Sequence, residues 1–363
     1  MSTAPRAARP LCIAVTGLNA TDNPGPGVGL IRALKLSARP GERFIGLGYD
    51  ALDPGLYAPD IVPDVYLLPY PSQGMQPFLS RLRYIQEHAG IDVIIPTLDA
   101  ELPAFIDAAA ELRELGIRTF LPTREQLDLR SKVSLAALGR RAGLSVPPTA
   151  VVTSAAELSQ LYQRVPFPLF VKGVFYGATL AHGVEEAVVA FHKVVAQWGL
   201  PVIVQTQISG EELNVVAVGD GAGGLVGCVA MKKMLITDKG KGWAGVTVRD
   251  PELYAMTEAF MRTTRWRGPC ELELIRDPRG AYYLIEINPR FPAWVYLSSA
   301  AGVHLSRAVV ELALEQPLTP LADYPAGKMF VRISIDQPAS IEDFQRVVTS
   351  GEIVRSSPPS EEV

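Results

Sequence analysis

The first third of the chain alternates short apolar runs with amphipathic stretches, and that rhythm leaves few folds open. Residues 11–17, 43–47, 93–96 and 119–121 read as strands, and residues 28–36, 78–89 and 102–115 as helices. This βαβ order predicts a parallel sheet covered by helices on both faces, with ligands gathering at the carboxyl ends of the strands. Between the first strand and the first helix lies Asn23-Pro24-Gly25-Pro26-Gly27-Val28-Gly29. Glycines there let backbone approach an anion at a helix N-terminus. The two prolines disturb the G-x-G-x-x-G spacing of a dinucleotide site, whose acidic partner would have to be Asp50 or Asp53, so a structural turn is the expectation.

At 363 residues the chain exceeds one ordinary core, and two or three lobes are expected. Hydrophobic residues at 48% against 20% charged argue against extended disorder. A net charge of −4, with Lys and Arg scattered, offers no basic face for phosphate neutralisation, which speaks against a nucleic-acid partner. Cys12, Cys228 and Cys270 lie in apolar runs without metal-ligand spacing and read as reduced core residues. Arg6 and Arg9 precede an apolar stretch too short for a signal core, and no uncharged run approaches the roughly 20 residues that span a bilayer. A cytoplasmic enzyme with no membrane partner is the expectation.

Residues 124–142 read as one helix ending at Gly143, after which Val146-Pro147-Pro148-Thr149 enters an extended segment. A small α+β lobe follows to residue 207, with a helix from Ser154, a strand at 169–172, a loop, a helix at 185–197 and a strand at 202–205. Long strands return in 213–314, among them 224–231, 270–276 and 282–287, before a helix near 305–314 and a strand at 329–335. The end from Arg355 is nearly without apolar residues and is expected to fray.

The strongest chemical signal is Tyr282-Tyr283-Leu284-Ile285-Glu286-Ile287-Asn288-Pro289-Arg290, with Glu273 thirteen positions before Glu286. Strand alternation places Leu284, Glu286 and Asn288 on one face and Ile285 and Ile287 on the other, while Glu271 and Glu273 share a face of the preceding strand. A turn at Asp277-Pro278-Arg279-Gly280 would bring Glu273 within reach of Glu286. Two carboxylates so placed repel unless a cation bridges them; magnesium, which takes oxygen ligands and shares them with phosphate, suits the pair, with Asn288 as a neutral third oxygen. Arg290 would then face phosphate as a fork of donors.

Glu-Ile-Asn-Pro-Arg after an upstream acid resembles the metal-binding end of the ATP-grasp superfamily. Further residues extend the resemblance over nearly the whole chain. Lys172, after Pro168-Leu169-Phe170-Val171, and Lys132, in Leu129-Arg130-Ser131-Lys132, match the family's two nucleotide lysines. Val202 to Glu212 resembles its adenine hinge, with Gln205 facing the adenine amino group, the backbones of Thr206 and Ile208 contacting the ring and Glu212 bonding the ribose. Residues 173–184 stand where the family has a phosphate-covering loop; Gly177 and Thr179 keep backbone access, while Phe175, Tyr176 and Leu180 are bulkier than the pattern. The lysine-rich run from Lys232 to Gly245 resembles the loop that closes over γ-phosphate and acceptor, with Lys239 and Lys241 beside the reacting groups.

The resemblance implies an α/β and α+β architecture: a Rossmann-like parallel-sheet domain at 1–122, an ATP-grasp lid at 123–207, a metal-binding antiparallel lobe at 208–335 and an extension at 336–363. It also implies ATP with two magnesium ions, manganese substituting, held by Glu273, Glu286 and Asn288. The implied activity is that of a carboxylate–amine ligase acting on small molecules, most similar to single-copy carbamoyl-phosphate-synthase-like members, with a homodimer left open. Three alternatives remain: a thiol, bicarbonate or peptide acceptor; a nucleotide binder without catalysis; and a nicotinamide oxidoreductase using the Gly25–Gly29 turn, which leaves the acidic constellation unexplained.

Overall fold

The computed structural model describes residues 9–355 apart from 22, 23, 162, 175, 176, 238, 239, 320 and 322. In chain order its strands are β1 (Cys12–Val15), β2 (Arg43–Gly48), β3 (Asp64–Leu67), β4 (Val93–Ile95), β5 (Thr149–Val152), β6 (Leu169–Lys172), β7 (Ala178–Ala181) and β8 (Val202–Thr206). There follow β9 (Glu211–Asp220), β10 (Leu225–Ile236), β11 (Gly242–Val248), β12 (Arg267–Arg276), β13 (Tyr282–Asn288), β14 (Met329–Val331) and β15 (Glu352–Ile353). The chain divides into two units, the first made of residues up to 121, 236–244 and 290 onward, the second of 122–235 and 245–289.

The first unit is organised by a sheet of order β15-β3-β2-β1-β4, parallel throughout except for β15. Its strands are short and apolar because both faces are covered: Ile13, Val15, Ile45 and Leu47 are buried, as are Leu30, Ile31 and Leu34 of the helix Pro26–Lys35 and Phe78, Leu82 and Ile85 of Met75–Ala89. Residues 119–121 form no strand; only Arg118 makes an isolated bridge, to Val93. The C-terminal stretch contributes β15, which pairs with β3 through Glu352↔Tyr66 and Ile353↔Val65.

The proline-containing turn after β1 closes on itself. Gly27 N donates to Gly17 O at 3.0 Å and Gly25 N to Asn19 O at 2.6 Å, so these amides serve the turn and not a ligand. A Cβ on Gly27 would lie 2.1 Å from Thr16 O and 2.6 Å from Gly17 O, both backbone atoms with no room to retreat. Gly27→Ala is therefore expected to cost about 1–3 kcal/mol, read as a lower urea midpoint at unchanged slope. An unchanged midpoint would show that the turn is not packed this way.

The second unit holds two antiparallel sheets. The smaller, β5-β8-β6-β7, buries Val152, Leu169, Val171, Val202 and Val204 against Ala187, Ala190, Phe191 and Val194 of the helix Val184–Trp198. The larger runs β13-β12-β9-β10-β11. One of its faces packs Leu213, Val215, Ala217, Leu272, Leu274 and Ile287 on the helices Leu135–Ala142 and Pro251–Thr264. Alternation turns Asn214, Glu271, Glu273, Glu286 and Asn288 to the other face, beside the buried Val216, Val229 and Met231.

Three sequence expectations are corrected here. The helix expected over 124–142 is two, Arg124–Asp128 and Leu135–Ala142. Ser131 Oγ accepts from Val133 N at 3.3 Å in the intervening turn, the local competition that serines offer a helix. The loop after β6 is shorter than residues 173–184, because 178–181 pair with β6 as β7. Leu284 does not share the face of Glu286: Glu273 pairs with Glu286 but Leu274 pairs with Leu284, leaving Ile285 as a bulge residue that shifts the alternation and turns Leu284 into the core with Ile287.

Candidate active site

The β12–β13 hairpin turns at Asp277, whose carboxylate accepts from Arg279 N and Ala281 N, each at 2.9 Å, while Gly280 adopts a φ of +92°. That turn and the bulge set the register that opposes Glu273 to Glu286 and Glu271 to Asn288. On the other flank of β12, β9 places Asn214 opposite Glu273. Asn288 Nδ2 donates to Glu271 and Glu273, both at 2.9 Å, and Asn214 Nδ2 to Glu271 at 2.6 Å. Three neighbouring strands thus gather carboxylates and amides on one face.

Cations surround this set. Lys132, in the turn that interrupts the expected helix, lies 3.9 Å from Glu286. Lys233 of β10 donates to Glu212 at 2.8 Å and to Glu273 at 3.3 Å. Burial opposes the charge on Lys233, but Glu273, Glu212 and Glu271 outweigh it and hold its pKa above the ordinary lysine value. Lys172, at the end of β6 and 9% exposed, donates to Gln205 Oε1 at 2.7 Å, and Gln205 Nε2 donates to Thr149 Oγ1 at 3.1 Å. Burial, reinforced by the Lys132 charge and opposed by Glu286 and Glu273, brings the Lys172 pKa down to about 8.

The remaining candidates are distributed as follows. Thr206 N donates to Pro148 O and Gln207 N to Pro168 O, both at 2.9 Å, so the hinge backbone is tied to the smaller sheet before Ile208 leads into β9. Gly177 ends the β6–β7 connection with a φ of +79°, and Thr179 is a ladder residue opposite Val171. Lys241 is exposed, its N–H bonded to Thr237 Oγ1 at 3.2 Å; Lys239 lies outside the described residues. In the first unit, Arg290 Nε donates to Asp99 at 2.9 Å. Asp99 follows β4 in the same loop as the buried Glu101, which accepts from Thr16 Oγ1 at 2.5 Å, from Thr97 N at 2.7 Å and from the Tyr49 hydroxyl.

Asn214 was not singled out from the sequence; Lys233 reads there as part of a lysine-rich loop and lies instead in β10, and Asp99 reads as part of the 96–101 segment at a strand's carboxyl end, without a role of its own. Lys233 is one of two adjacent lysines, and only its position two residues from the buried Met231 marks it as inward-facing.

The residues fit magnesium. Among the described residues no group of three His, Cys, Asp or Glu side chains forms a ready metal cluster. Magnesium needs no such cluster, because it keeps waters and takes one or two carboxylates beside phosphate oxygens. Glu273 and Glu286, opposed in register, are two carboxylates that could supply that pair. Asn214 Oδ1, bonded through its amide to the same network, is buried without a hydrogen-bond partner, which leaves oxygen capacity unused on this face.

No protein-family model matches the sequence. A phosphoribosylamine–glycine ligase of Nostoc sp. (strain PCC 7120 / SAG 25.82 / UTEX 2576) is 27% identical over 218 residues, 53% of this chain, so the match spans about half (51%) of that protein. The biotin carboxylase domain of Hydrogenobacter thermophilus 2-oxoglutarate carboxylase, solved with MgADP, ADP and bicarbonate, superposes with a TM-score of 0.65 at 17% identity, over 85% of this chain and 70% of that one. The L-amino acid ligase of Bacillus licheniformis gives a TM-score of 0.61 at 16% identity, over 85% and 75%. With its parallel N-terminal sheet and two antiparallel sheets matching these structures over most of their length, the chain has the ATP-grasp fold.

Proposed function

We propose that the chain is an ATP- and magnesium-dependent ligase that activates a small carboxylate as an acyl phosphate and couples it to an amine, releasing ADP and phosphate. The observation that carries this reading is the polar face of the second unit, where Glu273 and Glu286 stand in direct register with Asn288 beside them and lysines 132 and 233 around them. Two similar proteins support it, being named as ligases of phosphoribosylamine with glycine and of L-amino acids. A cytoplasmic setting and a homodimer belong to the same reading.

Magnesium bound through Glu273, Glu286 and Asn288 would offset charge on the phosphate oxygens. Lys132 and Lys172 supply ammonium groups for the nucleotide phosphates, Gln205 orients Lys172, and Glu212 and the hinge backbone through Thr206 and Ile208 position the nucleoside. Gly177 and Thr179 offer backbone to the phosphates. In this reading Arg290, held by Asp99, is the anion-binding fork, and Lys241 and Lys239 are further cations for the reacting groups. In the reaction a carboxylate oxygen attacks the γ-phosphorus and the β,γ bond breaks to release ADP. The amine then attacks the acyl carbon, phosphate departs with the bonding pair, and the amine proton passes to phosphate or solvent.

The test is ADP formation from Mg-ATP across paired carboxylates and amines. Release that needs both partners supports the ligase; tight ATP binding with no pair stimulating release would overturn it.

Lys172 gives this reading a pH signature. With its pKa lowered to about 8, the side chain of the ligand-free protein is largely neutral at pH 9, and bound phosphate favours its charged form. ADP binding is therefore expected to take up a proton at pH 9 and to weaken by up to about tenfold per pH unit above 8. Calorimetry in buffers of different ionisation enthalpy measures the uptake, which Lys172→Met should abolish. Equal uptake in that variant would remove Lys172 from the phosphate site.

A further inference from the structure

The alternation of Met329, Val331, Ile333 and Ile335 predicts a strand through residue 335, yet only Met329–Val331 is paired, as β14. On one side Arg332 N donates to Trp243 O at 2.9 Å and Arg332 Nε to Gly242 O at 3.0 Å, all within the first unit. β14 stands last in its sheet, after β11, so its other edge carries no strand among the described residues. With the Arg332 amide turned toward β11, strand alternation turns the N–H and C=O groups of Val331, Ile333 and Ile335 to that open edge. Among the described residues neither Ile333 nor Ile335 makes a hydrogen bond.

The side chains of this segment are apolar and stand in solvent: Met329 is 49% exposed, Val331 67%, Ile333 78% and Ile335 73%. Proteins ordinarily blunt such an edge with proline, a bulge or a charge. Residues 329–335 contain no proline. Their one charged side chain, Arg332, is drawn to Gly242 O, with its guanidinium carbon 5.6 Å from the Phe330 ring centroid, and so leans away from the edge. A bare backbone edge beside an apolar row is the surface that strand addition uses.

We infer that residues 328–336 pair with the same segment of a second copy of this chain, antiparallel about a two-fold axis at Arg332. The occupant follows from the symmetry of the segment itself. In that register Met329 meets Ile335 and Val331 meets Ile333, so every apolar side chain is set against another, and Lys328 meets Asp336 at both ends. The two Arg332 side chains meet at the axis on the opposite face, each leaning back to its own Gly242. A one-residue slip would set Ile333 against Arg332 and lose both ion pairs. The inference rests on the homodimer of the proposed reading, to which it gives a surface, and is independent of the ligase chemistry.

Sedimentation velocity of the full-length protein over a concentration series tests it. Two short strands bury less than a standard interface of about 1,600 Å², so a dissociation constant on the order of micromolar is expected. Ile333→Lys, at an exposed position where the fold has little to lose, should weaken the dimer at least about tenfold. Asp336→Lys sets a second lysine against Lys328 and should weaken it too, while the double variant Lys328→Glu/Asp336→Lys should restore it. A dimer unchanged by Ile333→Lys, or a double variant no tighter than Asp336→Lys alone, would overturn the inference and leave a homodimer built on another surface. A protein that stays monomeric up to about 100 μM would remove the inference and the homodimer together.

Discussion

Glu286→Gln is expected to lower ADP formation about a thousandfold, the loss typical when a charge that stabilises a transferring group is removed. The substitution keeps shape and takes away one of the two carboxylates that β12 and β13 hold in register. Its side chain is 40% exposed and its contact with Lys132 spans 3.9 Å, so little stability should be lost with it. The defect should appear as a lower kcat together with a higher magnesium concentration for half-saturation. Glu211→Gln is the matched control: Glu211 pairs with Lys232 at the exposed side of β9, and activity should be retained. A loss under tenfold with unchanged magnesium dependence would remove Glu286 from the metal site.

Trp266→Ala should have the largest effect on stability, about 3–5 kcal/mol, because it removes a large side chain from a place that cannot collapse. Trp266 is completely buried, its ring centroid 5.3 Å from that of Phe260 and its Nε1 donating to Pro269 O at 3.3 Å. It belongs to the core that backs the polar face of the larger sheet in the second unit. Since domains are stable by only about 5–15 kcal/mol, the variant should unfold at a much lower urea concentration. Val189→Ala, on the exposed side of its helix, should shift stability by less than about 0.5 kcal/mol. Equal midpoints for the two variants would mean that Trp266 is not in the core.

The sequence made the parallel sheet legible because buried parallel strands are short apolar runs separated by helical periods, as Ile13, Ile45 and Ile94 illustrate. The opposition of Glu273 and Glu286 could be anticipated because a recognisable turn, Asp277 to Gly280, lies between them. The bulge at Ile285 could not, since Ile suits both an inner and an outer strand position. The helix Pro251–Thr264 went unread although Asp250 caps it and Pro251 opens it, and so did Ile341–Ser350, capped by Ser340. Asn214 and Lys233 were hidden for another reason: their place on the polar face follows from the register of β9 against β10 and β12, which is a property of chain pairing and not of local composition.

The Ile285 bulge works as a parity switch along β13. From the turn to Leu284 the even-numbered residues face inward, and beyond it the odd-numbered Ile287 does. One hairpin can therefore close the core at its turn end and present Glu286 and Asn288 at its open end. Drawing Ile285 into regular pairing would exchange the two faces beyond it, sending an acid and an amide into the hydrocarbon core and Ile287 to the opposite side, whereas deleting it would let Leu284 and Glu286 alternate directly and keep both faces. The outward orientation of Glu286 and Asn288 thus depends on residue 285 staying out of the ladder, not on which side chain it carries.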